Sequence, residues 1–174
     1  MVNLKKLKNN EGIVAKLKEV SFFKMFEKDD ETIRKIAGLC TKKSFKAGER
    51  IIKEGEYGDE LFIFLNGGIE IEKETLQNEK YIVTNLHADM GGIYVGELSL
   101  IDNDKRSASV FAKTDCECLV IQRENFVDFG NKNPEIGLNI TRAIAGQLST
   151  KLRKTNADVI TLFSALVDEI AASE

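Results

Sequence analysis

The sequence predicts a mainly β fold with flanking helices: a jelly-roll (double-stranded β-helix) barrel between N-terminal helices and a long C-terminal helix. Short apolar–polar segments alternate with glycine-bearing turns through the middle of the chain. Many short strands at regular spacing are typical of a sandwich or barrel and not of a parallel sheet with crossover helices. On both sides of this region, apolar residues recur at helical spacing. We therefore expect three parts, with residues 1–40 as a helical lead-in, 41–128 as the barrel and 129–174 as C-terminal helices.

The helical lead-in is predicted from apolar residues that recur at three- or four-residue steps between Ile13 and Ala37. Asp29 or Asp30 can start the second of two short helices, because an aspartate side chain accepts hydrogen bonds from the unpaired amides of a first helical turn.

The strands of the barrel are predicted from the blocks RIIKE, ELFIFLNG, GIEIEKE, YIVTNL, SASVFAK and CECLVIQ. Successive side chains of a strand point to opposite faces, so an alternating block can bury one face in a core. In the last block this period places Cys116 and Cys118 on the same face, where we expect core thiols. His87 falls in a predicted turn and is expected at the surface.

The C-terminal region is predicted to be one long helix from residue 134 to 172, with Asn133 as its cap and Pro134 at its first position. Such a helix would be about 50–60 Å long. One small barrel cannot cover its whole apolar stripe, so it should pair with a second chain or bend near Thr155 and Asn156. We favour pairing, because a heptad-like seam is how long helices bury such stripes. The stripe consists of Ile140, Ile144, Leu148, Leu152, Val159, Leu162, Phe163, Leu166 and Ile170.

Composition narrows the functional classes. The chain has 174 residues and a net charge of -3, which gives no support to a nucleic-acid or membrane surface. Three cysteines are an odd number and imply no disulfide framework. The longest apolar runs are shorter than a membrane span, and we expect a cytoplasmic protein. A metal-dependent barrel enzyme would need several histidines, whereas this chain has only His87. Because no nucleophile–base arrangement stands out either, we expect no enzyme, no metal and no cofactor.

Charged residues in an otherwise half-buried segment point to a binding site. In GELSLIDNDKRSASV, Glu97 follows Gly96, and Arg106 comes nine residues after the acid. An arginine fork suits a phosphate, a glycine allows close backbone approach, and a carboxylate can accept from a sugar hydroxyl. Together these residues suit a cyclic nucleotide. The spacing alone equally allows an ordinary surface ion pair, which contributes little to stability.

The same segment resembles the phosphate-binding cassette of the cyclic-nucleotide-binding domain family, which includes the catabolite activator protein and the kinase regulatory subunits. Upstream, FKAGERIIKEGEYGDELFIFLNGGIEI resembles the strand and glycine pattern of that family, with Gly55, Gly58, Asp59 and Gly67 in place. Downstream, NPEIGLNITRAIAGQLSTKLRKTN resembles the long C-helix of the bacterial activators. The resemblance covers about residues 20 to 165 and implies a jelly-roll regulatory domain. We interpret Gly55, Gly58 and Gly67 as turn glycines of the barrel.

The resemblance also implies roles for single residues. Arg106 would bind the cyclic phosphate, and Glu97 the ribose 2′-hydroxyl. The backbone around Gly96, Leu98 and Ser99, together with Ser107 and Ala108, would complete the cradle. The base would meet the C-helix, either that of its own chain or that of a partner, at Leu152, Arg153, Thr155 and Asn156.

Two positions qualify this assignment. Lys105 stands where the family usually has proline, which removes a fixed φ and could loosen the cassette. Ser107 occurs with both bases in the family and does not discriminate between them. We expect cAMP because of the bacterial likeness, with cGMP as the alternative.

The functional prediction is a bacterial cyclic-nucleotide sensor in which ligand binding is coupled to C-helix movement and to a partner or a homodimer. The sequence ends at Glu174, before the DNA-binding domain that follows the C-helix in the bacterial activators, so we expect either a stand-alone sensor or a fragment of something longer. We expect no nucleic-acid partner for this chain itself. The alternative is a dimerisation or interaction module that has kept the fold and lost its ligand. Lys105 favours the alternative, whereas the retained Gly96, Glu97 and Arg106 favour binding.

Overall fold

The computed structural model describes residues 10–172 and begins with three short helical elements. These are helix α1 (Glu11–Glu19), a 3₁₀ helix (Ser21–Phe26) and helix α2 (Asp30–Ala37). Asn10 caps α1, since its side-chain oxygen accepts from the amide of Ile13 at 3.2 Å. Asp29 caps α2 in the same way, accepting from the amide of Thr32 at 3.0 Å. Of the two predicted caps, Asp29 is therefore the correct one.

Eight strands form two four-stranded antiparallel sheets, which confirms the predicted fold class. The sheet orders are β1-β8-β3-β6 and β2-β7-β4-β5. The strands are β1 (Thr41–Phe45), β2 (Arg50–Ile52), β3 (Glu60–Asn66), β4 (Gly68–Glu74), β5 (Lys80–His87), β6 (Tyr94–Val95), β7 (Ser109–Ala112) and β8 (Cys116–Gln122). His87 is thus the last residue of a strand and not part of a turn, although its side chain is exposed as expected.

The core lies between the two sheets. Phe62 and Phe64 of β3 belong to it, and their neighbours Leu61 and Ile63 are buried as well. Such burial of consecutive residues is expected for a strand in the middle of a sheet that is covered on both faces. The core cluster comprises Ile52, Phe62, Phe64, Ile69, Ala88, Val95, Val110, Ala112, Cys116, Cys118 and Val120.

The cysteines are core thiols, as their spacing predicted. Cys116 and Cys118 lie in the same cluster between the sheets, and Cys40 is fully buried. All three are free thiols. Burial raises the pKa of Cys118 to about 12, so this thiol stays protonated and unreactive at neutral pH.

Helix α3 (Arg123–Lys132) follows β8 directly and ends at Asn133. The Asn133 side chain donates to the carbonyl of Phe129 at 3.0 Å, so it closes α3. Asn133 also holds the predicted cap position of the following helix, because its backbone carbonyl accepts from the amide of Gly137 at 3.0 Å.

Helix α4 (Pro134–Ala172) is one uninterrupted α-helix of 39 residues, as predicted. The described residues divide into two compact units between Leu138 and Asn139, so most of α4 forms a unit of its own. The helix passes through Thr155 and Asn156 without a break. Within residues 10–172, neither α4 nor the shorter helices combine the length and hydropathy needed to cross a membrane.

Candidate functional site

The candidate site begins at Gly96, immediately after β6. Gly96 has φ 84°, in the left-handed region, and the 3₁₀ helix Glu97–Leu100 follows it. A Cβ on Gly96 would lie 2.6 Å from Nη1 of Arg106 and 2.7 Å from the carbonyl oxygen of Glu60. Both the backbone conformation and the lack of space therefore require glycine here. The single helical turn expected for this segment is present.

Ser99 fastens this turn to the barrel. Its side chain is only 4% exposed, and its hydroxyl lies 2.7 Å from the carbonyl oxygen of Gly96 and 3.1 Å from that of Glu60. The hydroxyl hydrogen is therefore directed into the protein. The Ser99 side chain therefore stabilises the 3₁₀ turn by hydrogen bonding to the protein backbone.

Arg106 is held by its backbone and by its side chain. Its amide donates to the carbonyl of Glu56 at 2.8 Å, and its carbonyl accepts from the amide of Gly55 at 2.9 Å. The half-buried guanidinium donates from Nη2 to the carbonyl of Glu60, also at 2.8 Å. A guanidinium has five N–H donors, so this bond fixes the direction of the fork while using one of them.

The electrostatic setting of Arg106 combines partial burial with nearby acids. Burial lowers the pKa of Arg106 from its ordinary value, and the carboxylates of Glu60 and Asp59 act in the opposite direction. Arginine remains protonated at neutral pH even after such a shift. The site therefore holds a fixed positive charge that has lost part of its hydration.

Gly58 belongs to the site as well, which the sequence interpretation missed. Unlike Gly55 and Gly67, which have φ of 78° and 85° and are turn glycines as expected, Gly58 has no positive φ. A Cβ on Gly58 would lie 2.5 Å from Nε and 2.9 Å from Cζ of Arg106. The guanidinium therefore requires this glycine. The sequence signal was GEYGDE, a second glycine placed just before a buried strand.

The other residues of the predicted cassette lie on the segments before and after Arg106. Glu97 and Leu98 are half-buried in the 3₁₀ helix, next to the glycine that touches the guanidinium. Ser107 is exposed and Ala108 is half-buried, just before β7 begins. The structure thus brings the segment around Gly96 to the side chain of Arg106.

The residues expected to contact the base lie on α4, in the second compact unit. All four are exposed, and Arg153 donates from Nη1 to the hydroxyl of Ser149 at 2.8 Å. Their role stays a prediction. The four are Leu152, Arg153, Thr155 and Asn156.

Comparison with known proteins identifies the family of the chain. Residues 42–133 match the family described as cyclic nucleotide-binding domain. Among curated relatives, Glutaminase 2 of Bradyrhizobium diazoefficiens is 31% identical over 134 residues, which are 76% of this chain and 20% of that protein. Human cGMP-dependent protein kinase 2 is 35% identical over 112 residues, which are 63% of this chain and 14% of that protein. The chain thus spans a fifth or less of the length of these relatives.

Solved structures share the fold. The catabolite activator protein of Thermus thermophilus has a TM-score of 0.63 at 24% identity, over 71% of this chain and 55% of that one. A cyclic nucleotide-binding domain from Methylobacillus flagellatus has a TM-score of 0.72 at 20% identity, over 90% and 84% of the two chains. The regulatory domain of Toxoplasma gondii PKA, crystallised with cAMP, has a TM-score of 0.68 at 23% identity, over 83% and 51%. From the family match and this fold, the chain belongs to the cyclic nucleotide-binding domain family.

Proposed function

We propose that this chain is a regulatory sensor that binds a cyclic nucleotide, with cAMP as the first candidate and cGMP as the alternative. The family supplies the class of ligand. The observation that carries the proposal is the guanidinium of Arg106, enclosed between Gly58 and Gly96, where neither glycine leaves room for a Cβ. A half-buried guanidinium that has lost part of its hydration is suited to an anionic ligand.

The cyclic phosphate is assigned to Arg106. Removing a guanidinium from water is unfavourable, and burial accordingly lowers its pKa. One negative phosphate would offset that loss and would accept charge-assisted hydrogen bonds from the donors that Glu60 does not use. Gly96 would let its backbone approach the same oxygens.

The ribose is assigned to Glu97, whose half-buried carboxylate follows Gly96 and can accept from the 2′-hydroxyl. Leu98, Ser107 and Ala108 would complete the cradle. Ser99 would contribute by shaping the turn, because its hydroxyl already lies against two backbone carbonyls.

Contact with the base and the conformational response to binding are both assigned to α4. Leu152, Arg153, Thr155 and Asn156 would contact the base, and movement of the helix would report binding. Apolar side chains on the second half of the helix are open to solvent, with Leu162 70% and Phe163 66% exposed. A second copy of the chain is the partner we propose for this stripe, since paired helices bury such seams.

Calorimetric titration with cAMP and with cGMP tests the ligand. We expect binding of at least one nucleotide, and loss of most affinity in Arg106→Ala. Arg34→Ala is the matched control, because Arg34 lies on α2 and pairs with Glu11. No heat with either nucleotide at high micromolar protein would favour the interaction module. Intact binding in Arg106→Ala would mean that the phosphate is held elsewhere.

The output is tested by the native mass and by hydrogen exchange of residues 134–172 with and without nucleotide. We expect about twice the chain mass for a dimer and increased protection of α4 on binding. Phe163→Glu should return the mass to that of a monomer, whereas Lys154→Glu, also on α4, should not. A monomeric wild type, or unchanged exchange, would contradict the assignment of α4.

A further inference from the structure

The pairing of β2 with β7 continues beyond both strands and encloses the backbone of Arg106. Residues 54–57 run antiparallel to residues 105–109. Within this extension, the amide of Gly55 donates to the carbonyl of Arg106 at 2.9 Å, and the amide of Arg106 donates to the carbonyl of Glu56 at 2.8 Å. Both peptide groups of Arg106 are therefore tied to the same neighbouring segment.

The last pair of this extension is Tyr57 and Lys105, which form an isolated antiparallel bridge. The Lys105 ammonium lies 5.9 Å from the centroid of the Tyr57 ring, within the range of a cation–π contact. The amide of Lys105 donates to its neighbour, the side chain of Asp104, at 2.7 Å. The side chains of Lys105 and Tyr57 thus add a contact to the backbone pairing of this bridge.

The position of Tyr57 is unusual for an aromatic residue. Its side chain is 69% exposed, so burial in the core does not explain it. On the other side of the pair, the chain enters a loop of four exposed residues, 101–104. The pair thus stands where an ordered two-stranded segment meets an open loop.

We propose that Tyr57 and Lys105 form a clasp that positions Arg106 for the ligand. Its effect on binding rests on the proposed function, whereas its effect on the backbone of Arg106 does not. End pairs of a two-stranded segment open most easily, and cross-strand side-chain contacts oppose this. If the clasp opens, the next bond to break is the one from the Arg106 amide to Glu56.

A positioned arginine binds more tightly than a mobile one, because its ordering is complete before the ligand arrives. The clasp also assigns a structural role to Lys105. A lysine does not restrict φ as the proline usual at this position would, and its side-chain contact with Tyr57 restrains the cassette instead.

The first experiment uses the ligand-free chain. Amide hydrogen exchange, followed by NMR, should be faster at Gly55 and Arg106 in Tyr57→Ala and in Lys105→Met. Tyr57→Phe keeps the ring and should match the wild type. The amide of Phe64, which donates to Ile93 within the barrel, serves as the internal reference and should not change. Unchanged exchange at Gly55 and Arg106, or equally faster exchange at Phe64, would overturn the clasp.

The second experiment measures affinity and dissociation rate for cAMP and cGMP in the same variants. Loss of an exposed cation–π contact should weaken binding by about two- to fivefold, mainly through faster dissociation. The double variant should be no weaker than either single one, since both remove one contact. Additive losses would overturn the clasp. If the wild type binds neither nucleotide, the proposed function fails and the exchange data alone decide on the clasp.

Discussion

Gly58 and Arg106 are in direct van der Waals contact: with the guanidinium in this position, a Cβ on Gly58 would lie 2.5 Å from Nε of the arginine. The two residues come from different parts of the barrel, before β3 and before β7. A side chain at position 58 would have to displace the guanidinium, which donates to the carbonyl of Glu60. This contact makes the loop before β3 a part of the candidate site.

Gly58→Ala should therefore reduce nucleotide affinity about as strongly as Arg106→Lys, which keeps the charge but loses the planar fork. We expect losses of about tenfold or more for both, measured by calorimetry. The control is Gly48→Ala, where φ is 85° and a Cβ meets open space. That variant should lose about 1 kcal/mol of unfolding free energy and keep its affinity. Normal binding by Gly58→Ala would show that the guanidinium can move without consequence.

Ser99 and Ser107 should separate stability from binding. Ser99→Ala removes a buried hydroxyl that fastens the 3₁₀ turn, so we expect a loss of about 1 kcal/mol in chemical unfolding. Ser107→Ala changes an exposed side chain and should leave stability unchanged while lowering affinity about two- to tenfold. The reverse pattern would contradict the proposed division between a turn-shaping and a ligand-binding serine.

Gly92 should be sensitive to substitution because helix α1 ends against it. A Cβ on Gly92 would overlap the carbonyl oxygen of Glu19 and lie 2.6 Å from its carbon. We expect Gly92→Ala to lower the unfolding free energy by about 2–4 kcal/mol, from overpacking and an unfavourable φ.

Gly91→Ala is the matched control for this contact. Gly91 also has a positive φ, of 81°, but the nearest atom to its Cβ would be 3.7 Å away, on the Glu19 side chain. About 1 kcal/mol should be lost in urea unfolding. Equal losses in the two variants would mean that α1 does not constrain this loop.

The contact between the end of helix α1 and Gly92 should also make the free energy of unfolding depend on pH, through the carboxylate of Glu19. Its carboxylate accepts from Lys16 at 2.9 Å and from the amide of Gly92 at 3.2 Å. The hydrogen bond from Lys16 lowers its pKa the most, burial opposes this, and the Gly92 amide lowers it further. Because the pKa in the folded state is depressed, the stabilisation is present above the unfolded-state pKa and is lost as the pH falls through the folded-state value.

Unfolding free energies of the wild type and of Glu19→Gln should therefore differ near pH 7 and converge in acid. Urea unfolding between about pH 3 and pH 7 measures the difference. A constant gap across this range would show that the Glu19 carboxylate does not supply the stabilisation.

Local sequence patterns predicted most of the strands and the helices on both sides of the barrel. The strands that were missed share one cause. Strand β1, TKKSF, has no buried residue, and β6 has only two residues. Neither carries an apolar alternation, and each is a strand because it lies beside a longer neighbour at a sheet edge. Because their pairing partners are distant in the chain, such short segments need no apolar alternation of their own and cannot be recognised from it.

The class of the fold, the long helix and the candidate cassette could all be predicted from the sequence, because each depends on residues close together in the chain. Apolar periods specify helices and strands, and the order of Gly96, Glu97 and Arg106 carries the family pattern. The folded structure was needed to show which glycine lies against the guanidinium, where the Ser99 hydroxyl points, and which residues hold Arg106. These outcomes depend on distances between segments far apart in sequence, and such distances exist only after the sheets have paired.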